Sequence, residues 1–247
     1  MLFRSTFVTV WIGDNDVRGA VTSLTNAGDV SKITPAATFT ARYATLLDSI
    51  EAANPRGVVL IGVANLVAVA NRTGLPPTQP PANGMPYLSY GSTYYALDQA
   101  NQIPGTFTAG PNCAPPRGDS VLVPFPFGGA LINAGATLTC DEVQTIQPSE
   151  LTAITTAVAA YNTFISAQAT SRGWAYLDPN PALAALRVIP TQVAFFPAFG
   201  APCSANPFGL AFSCDGVHPS AATHKLAANL LIPVINTKYG TAIPAIP

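Results

Sequence analysis

Three short runs dense in β-branched and aromatic residues, Thr6–Ile12, Gly57–Val63 and Trp174–Leu177, constrain this chain more than any other feature. Each is too short for a helix of its own and apolar enough to be read as a strand. Helical patterns separate them. From Thr34, read as an N-cap with Pro35 at the first helical position, the residues Phe39, Tyr43, Leu46, Leu47 and Ile50 recur at helical spacing until Asn54-Pro55. From Ser149, the residues Leu151, Ile154, Val158, Tyr161 and Ile165 form a second stripe, closed by Gly173. A third helix follows His218-Pro219-Ser220, with Leu226, Leu230 and Ile232 expected on its inner face. Alternating strands and helices predict an α/β fold with a parallel sheet covered on both faces. Phe7, Val8, Val10, Trp11 and Ile12 show no alternation of polar and apolar faces, so the first strand is expected to be covered on both sides.

Between Asn71 and Pro148 the sequence changes character, with PPTQPPANGMP, NCAPPRGD and VPFPFGG. Proline fixes backbone angles and removes donors there too often for regular elements, so 71–148 is read as an insertion in a single domain spanning 1–247. Its aromatic residues Tyr87, Tyr90, Tyr94, Tyr95, Phe125 and Phe127 either roof a cleft or simply pack over the sheet.

Hydrophobic residues make up 49% of the chain and charged ones 9%, yet no apolar run is long enough to cross a bilayer, so a soluble protein is expected. A net charge of -1 without a Lys/Arg cluster gives no footprint for nucleic acid. Cys113, Cys140, Cys203 and Cys214 lack the paired spacing of a zinc or redox site. Of the three possible pairings, Cys113–Cys140 with Cys203–Cys214 is favoured, because each staples a local Pro-rich loop. Disulfides and low charge point to an extracytoplasmic location. MLFRSTFVTV carries no cleavable apolar segment, so an export signal is expected outside this sequence.

With only two histidines, the search for a base near neutral pH is short. His218 lies in SCDGVHPSAATH, three residues after Asp215, and a turn into a helix can fold that carboxylate onto the imidazole. The alternative is a helix cap with a surface histidine. His224 has no such neighbour and is expected to face solvent. The turn Gly13-Asp14-Asn15-Asp16 ends the first strand, and the carboxyl ends of parallel strands are where ligands bind. An asparagine amide there can donate to a developing oxyanion; an Asx-turn is the alternative. A calcium loop fails, because Arg18 and Thr25 stand at ligand positions.

Together, G-x-N-D after a strand and D-G-V-H-P before the last helix resemble the GDSL or SGNH hydrolase family. NPRGVVLIGVANL and SRGWAYLD are similar to its bacterial secreted and lipoprotein esterases, so the resemblance covers nearly all of the chain outside the insertion. It implies a flavodoxin-like three-layer α/β/α sandwich and a carboxylic ester hydrolase that needs no metal or organic cofactor. Asn15 would be the oxyanion-hole asparagine, Gly13 would shape its turn, His218 would be the base and Asp215 its partner. Short-chain or aryl esters are the substrates the resemblance suggests.

The family's first two blocks, which carry the nucleophilic serine and a second oxyanion donor, have no counterpart before Phe7. Met1 is accordingly expected to be an internal start or boundary, with the first strand-helix unit missing. One GDS string exists at Gly118-Asp119-Ser120, but it follows a Pro-rich loop and precedes Pro124 and Pro126, unlike a strand-to-helix nucleophile turn, so the nucleophile is left unassigned. The second expectation is a catalytically incomplete module that self-associates or binds a partner through the edge of its first strand.

Overall fold

The structure is a computed structural model, and it describes residues 7–23, 25–67, 88–101, 107–124, 127, 131, 134–187, 189, 191–193, 201–216 and 218–247. Its centre is a parallel three-stranded sheet in the order β1 (Phe7–Val10), β2 (Gly57–Ile61) and β7 (Ala175–Leu177). Phe7 pairs with Gly57 and Val10 with Leu60, while Val59 pairs with Ala175 and Ile61 with Leu177. Parallel neighbours need crossovers, and helices supply them.

Two helices cover one face: α2 (Ala36–Ala52) through Phe39, Tyr43 and Leu47, and α4 (Pro148–Ser171) through Val158, Tyr161 and Ile165. These meet Val10, Val58 and Leu60 in a continuous core. Phe39 stacks on Tyr161 with centroids 4.0 Å apart. Burying a side chain such as Leu47 or Leu60 completely contributes about 1.5–3 kcal/mol. The opposite face carries Phe7, Val59 and Ala175 against Ile235, Val234 and Tyr239 of α6 (Ala221–Tyr239). Tyr239 also donates its hydroxyl to Val58 O at 2.5 Å, which ties the end of the chain to the central strand. The expected α/β class with helices on both faces of a parallel sheet is therefore present.

Several local expectations shift. Pro35 is the N-cap of α2 and Thr34 lies outside it; the Thr34 carbonyl instead accepts the Tyr161 hydroxyl. Helix α4 starts at Pro148 behind a capping box of Gln147 and Glu150, whose carboxylate accepts the Gln147 N–H at 2.8 Å. On α6 the buried residue is Ile235, whereas Leu226 is 38% exposed and Leu230 and Ile232 are half-buried.

β1 departs most from expectation. It pairs only with β2 among the described residues, Thr9 is exposed, and Trp11 and Ile12 beyond it are 40% and 48% exposed. Among the described residues β1 is an edge strand: Val8 and Val10 face the core, whereas the other face is covered by α6 at Phe7 and exposed from Thr9 onward, so the run's lack of alternation does not mean full cover on both sides.

The insertion is also more regular than its prolines suggest. β3 (Leu88–Tyr90), α3 (Gly91–Gln99), β4 (Thr108–Ala109), β5 (Leu122–Pro124) and β6 (Thr137–Leu138) build a lobe in which β3 pairs antiparallel with β5, and β4 parallel with β6. Pro124 ends its strand, where a missing donor costs least. Tyr94, Phe107, Val121, Val123 and Leu138 form the lobe's own core around the Cys113–Cys140 disulfide. Leu122 points the other way, joining Ile146 and Ile154 and anchoring the lobe to the body. Both expected disulfides form, Cys113–Cys140 and Cys203–Cys214, each with Cα atoms 5.2 Å apart. Among the described residues no helix is long and apolar enough to cross a membrane.

Candidate active site

The turn that follows β1 is built around Gly13. Its φ of +120° is open to glycine, and a Cβ there would lie 2.6 Å from Val63 Cγ2 and 3.1 Å from the Phe39 ring. This lets the chain bend directly into α1 (Asn15–Val21), with the Gly13 carbonyl accepting the Asp16 N–H at 3.0 Å. Asn15 is thus the first residue of a short helix, exposed at the carboxyl end of the sheet.

Asp14 occupies the N-cap position, yet its side chain makes no cap bond. Its Oδ1 instead accepts the Ala64 N–H at 2.9 Å, across to the loop that leaves β2. Burial pushes the Asp14 carboxyl above its ordinary value, opposed by that N–H and by the Arg18 guanidinium. The neighbouring amides of the loop are engaged as well. Val63 N–H donates to Asn162 Oδ1 of α4 at 2.7 Å, and Asn65 N–H donates to Asn180 Oδ1, at the start of α5 (Asn180–Arg187), at 2.7 Å.

His218 arrives from the far end of the chain. The chain on either side of His218 is held by the Phe212–Pro219 bridge, by Ser220 N–H to Ala211 O at 2.9 Å, and by the Cys203–Cys214 disulfide just before Asp215. Asp215 Oδ2 lies 2.5 Å from His218 Nδ1. Its Oδ1 accepts the His218 backbone N–H at 2.9 Å and the Ser213 hydroxyl at 2.6 Å. The carboxylate therefore holds the loop and the ring together. With Nδ1 donating to Asp215, Nε2 is the ring nitrogen able to take up a proton. The helix-cap role falls to Ser220, whose Oγ accepts the Thr223 N–H at 3.2 Å.

Asn15 and His218 line the same cavity, of about 480 Å³. Its floor includes Thr9 and Trp11 beside Ile61 and Leu177; its walls include Leu183 and Leu186 of α5, Phe212, and Leu226 and Leu230 of α6. Polar residues that line it include Asp14, Asn15, Arg18, His218 and His224. His224, expected to face solvent, is exposed and also lines this space.

Ser120 does not line it. It ends a 3-10 turn, Arg117–Ser120, in the insertion lobe, with its Oγ donating to Arg117 O at 2.9 Å. The hydroxyls that line the cavity among the described residues belong to Thr9, Thr22 and Thr223, and that of Thr223 already donates to Ala211 O at 2.8 Å. Nor do the insertion's described aromatics roof it: Tyr94, Tyr95 and Phe127 pack in the lobe's own core. Tyr87, Phe125 and the side chain of Tyr90 lie outside the described residues. Sequence reasoning missed the roles of Asp14, Asn162 and Asn180, and no motif flags the last two. Compared with protein-family models, curated proteins and solved structures, the chain matches none.

Proposed function

We propose that this protein is a carboxylic ester hydrolase of the SGNH type. One observation carries the reading. An asparagine after the first strand and an Asp-paired histidine more than two hundred residues later line one largely apolar cavity at the carboxyl ends of parallel strands. In this reading His218 Nε2 takes the proton of a serine hydroxyl as the serine oxygen adds to the ester carbonyl carbon. The carbonyl oxygen gains the negative charge and accepts a hydrogen bond from the Asn15 amide, a contact worth about 3 kcal/mol in such sites. Collapse expels the alcohol, which leaves with the proton from His218. Water then repeats the sequence on the acyl-serine, releasing the acid and restoring the hydroxyl. The side chains around Leu183, Leu186, Leu226 and Leu230 suit an apolar acyl or aryl group. Two disulfides support a site of action where thiols oxidise.

The test pairs a chromogenic butyrate ester with a covalent fluorophosphonate probe. Turnover and labelling of one serine, both lost in His218→Ala, are the expected results. A protein that neither turns over nor labels, or whose turnover ignores His218→Ala, would sink the reading.

A second reading, a self-associating module, is favoured by the exposure of Trp11 and Ile12 at the end of β1, which pairs only with β2 among the described residues. It expects a concentration-dependent dimer in size-exclusion chromatography. A monomer at every concentration removes it.

A further inference from the structure

The loop after β2 presents three consecutive backbone N–H groups at the carboxyl end of the sheet, where such amides commonly bind ligands. All three are already taken by side-chain oxygens: Val63 by Asn162 at 2.7 Å, Ala64 by Asp14 at 2.9 Å and Asn65 by Asn180 at 2.7 Å. The Val63 carbonyl is engaged too, accepting from Asn162 Nδ2 at 2.9 Å and from Asn180 Nδ2 at 3.2 Å. Asn180 is itself oriented by Asp178, whose Oδ1 accepts its Nδ2–H at 2.8 Å. Residues 63–65 are therefore a fixed platform whose three amides are all engaged by the protein. Of its three side-chain acceptors, Asn162 and Asn180 come from α4 and α5. Asp14 alone of the three comes from the turn that carries Asn15. That turn has turned its carboxylate away from the helix cap it would normally serve and toward Ala64.

We propose that Asp14 is a positioning residue that fixes the Asn15 amide over the cavity by pinning its turn to the 63–65 platform. The inference rests on the hydrolase reading and deepens it. Asn15 leads a helix of only seven residues and its side chain is exposed, so neither helix length nor packing holds it. The Asp14–Ala64 bond supplies that restraint. What the role requires of Asp14 is an acceptor, not a charge.

The experiment compares kcat and KM for a butyrate ester across the wild type, Asp14→Ala, Asp14→Asn, Asn15→Ala and the Asp14→Ala/Asn15→Ala double variant. Asp14→Ala is expected to lose about a hundredfold in kcat with KM little changed, the scale on which a misplaced group fails. Asp14→Asn, which keeps an oxygen for Ala64, should recover most of that loss. Asn15→Ala should lose about 10²–10³-fold, and the double variant should fall no lower, because a displaced amide and a deleted one are the same defect. Amide exchange at Ala64 should quicken in Asp14→Ala and not in Asp14→Asn. Should Asp14→Ala not fold, Asp14→Ser must show the same loss.

Losses that multiply in the double variant, or full activity in Asp14→Ala, overturn the positioning role while leaving the hydrolase reading intact. A wild-type protein without turnover overturns both.

Discussion

Replacing Asp215 by asparagine tests the core of the site through proton placement and leaves shape nearly untouched. Among the described residues Asp215 accepts from three donors: the His218 backbone N–H and the Ser213 hydroxyl on Oδ1, and His218 Nδ1 on Oδ2. An asparagine side chain has one oxygen and one NH2. Among the described residues two donors point at the Oδ1 position and only the ring at the other, so the oxygen settles at Oδ1 and the NH2 faces the ring. An NH2 group can only donate, so Nδ1 must become an acceptor and the ring proton moves to Nε2. The nitrogen that has to accept the nucleophile's proton is then already occupied. In a serine protease triad the same exchange lowers kcat by about 10⁴. For Asp215→Asn we expect a loss of about 10³–10⁴, which is about 4–5.5 kcal/mol at 1.36 kcal/mol per decade. Stability should barely move. The side chains of His218 and Asp215 are 69% and 49% exposed, and pairs so exposed contribute at most about 1 kcal/mol. The assay is butyrate ester hydrolysis under saturating substrate, with thermal unfolding measured on the same preparation. Turnover within tenfold of the wild type would show that Asp215 merely closes the loop, and the proton argument would be wrong.

Gly13→Ala should cost about 2–5 kcal/mol in urea unfolding, combining strain at φ +120° with overpacking against Val63; a cost below about 1 kcal/mol would refute the turn geometry. The folded-state pKa values of Asp14 and Glu150 are raised, chiefly by burial, so the native protein holds these protons more tightly than the unfolded chain. Their contribution to stability is thus fully present below the ordinary carboxyl range and is lost as pH rises through the folded values. Asp14→Asn removes the Asp14 share of that dependence and should unfold at a higher temperature than the wild type at pH 7, the gap closing by about pH 3; a constant gap would refute it. Cys203→Ser/Cys214→Ser should lose about 3 kcal/mol of local stability, from a separation of 11 residues, together with kcat. Cys113→Ser/Cys140→Ser, in the insertion lobe, should lose stability while sparing kcat; equal effects on kcat would refute the assignment of the two staples.

The strands and long helices were legible because their periodicity is a direct imprint of burial. Phe39, Tyr43 and Leu47, or Val158, Tyr161 and Ile165, fall where one face of a helix meets the sheet, and Ile154 one turn earlier falls where the same face meets Leu122 and Ile146. The exposed part of β1 was not legible, since Phe7 to Ile12 has the composition of a covered strand and only the order of the strands shows that it pairs with β2 alone among the described residues. The insertion misled for the opposite reason: prolines mark where donors are absent, but β3 and β5 place Pro124 at the end of a ladder. Asp215 and His218 were readable because they sit three residues apart and a turn suffices to join them. Asn162 and Asn180 were not. Each makes its decisive bonds to residues 99 to 117 positions away, and nothing local distinguishes them from any polar residue on a helix.

That difference in range divides the candidate site into two halves held by different forces. Asn15 stands on the sheet side, where Gly13, Asp14 and the clamped loop 63–65 are continuous with the core around Phe39 and Val63. His218 stands on a loop of short-range bonds, at the surface, closed by one disulfide and one carboxylate. Local opening begins where buried apolar contacts are fewest, so the histidine side should loosen well before the sheet unfolds. Heating or a reductant should therefore abolish turnover before the helical circular-dichroism signal changes, and the inactive species should still protect the Ala64 amide. Simultaneous loss of activity and of Ala64 protection would mean that both halves belong to one cooperative unit.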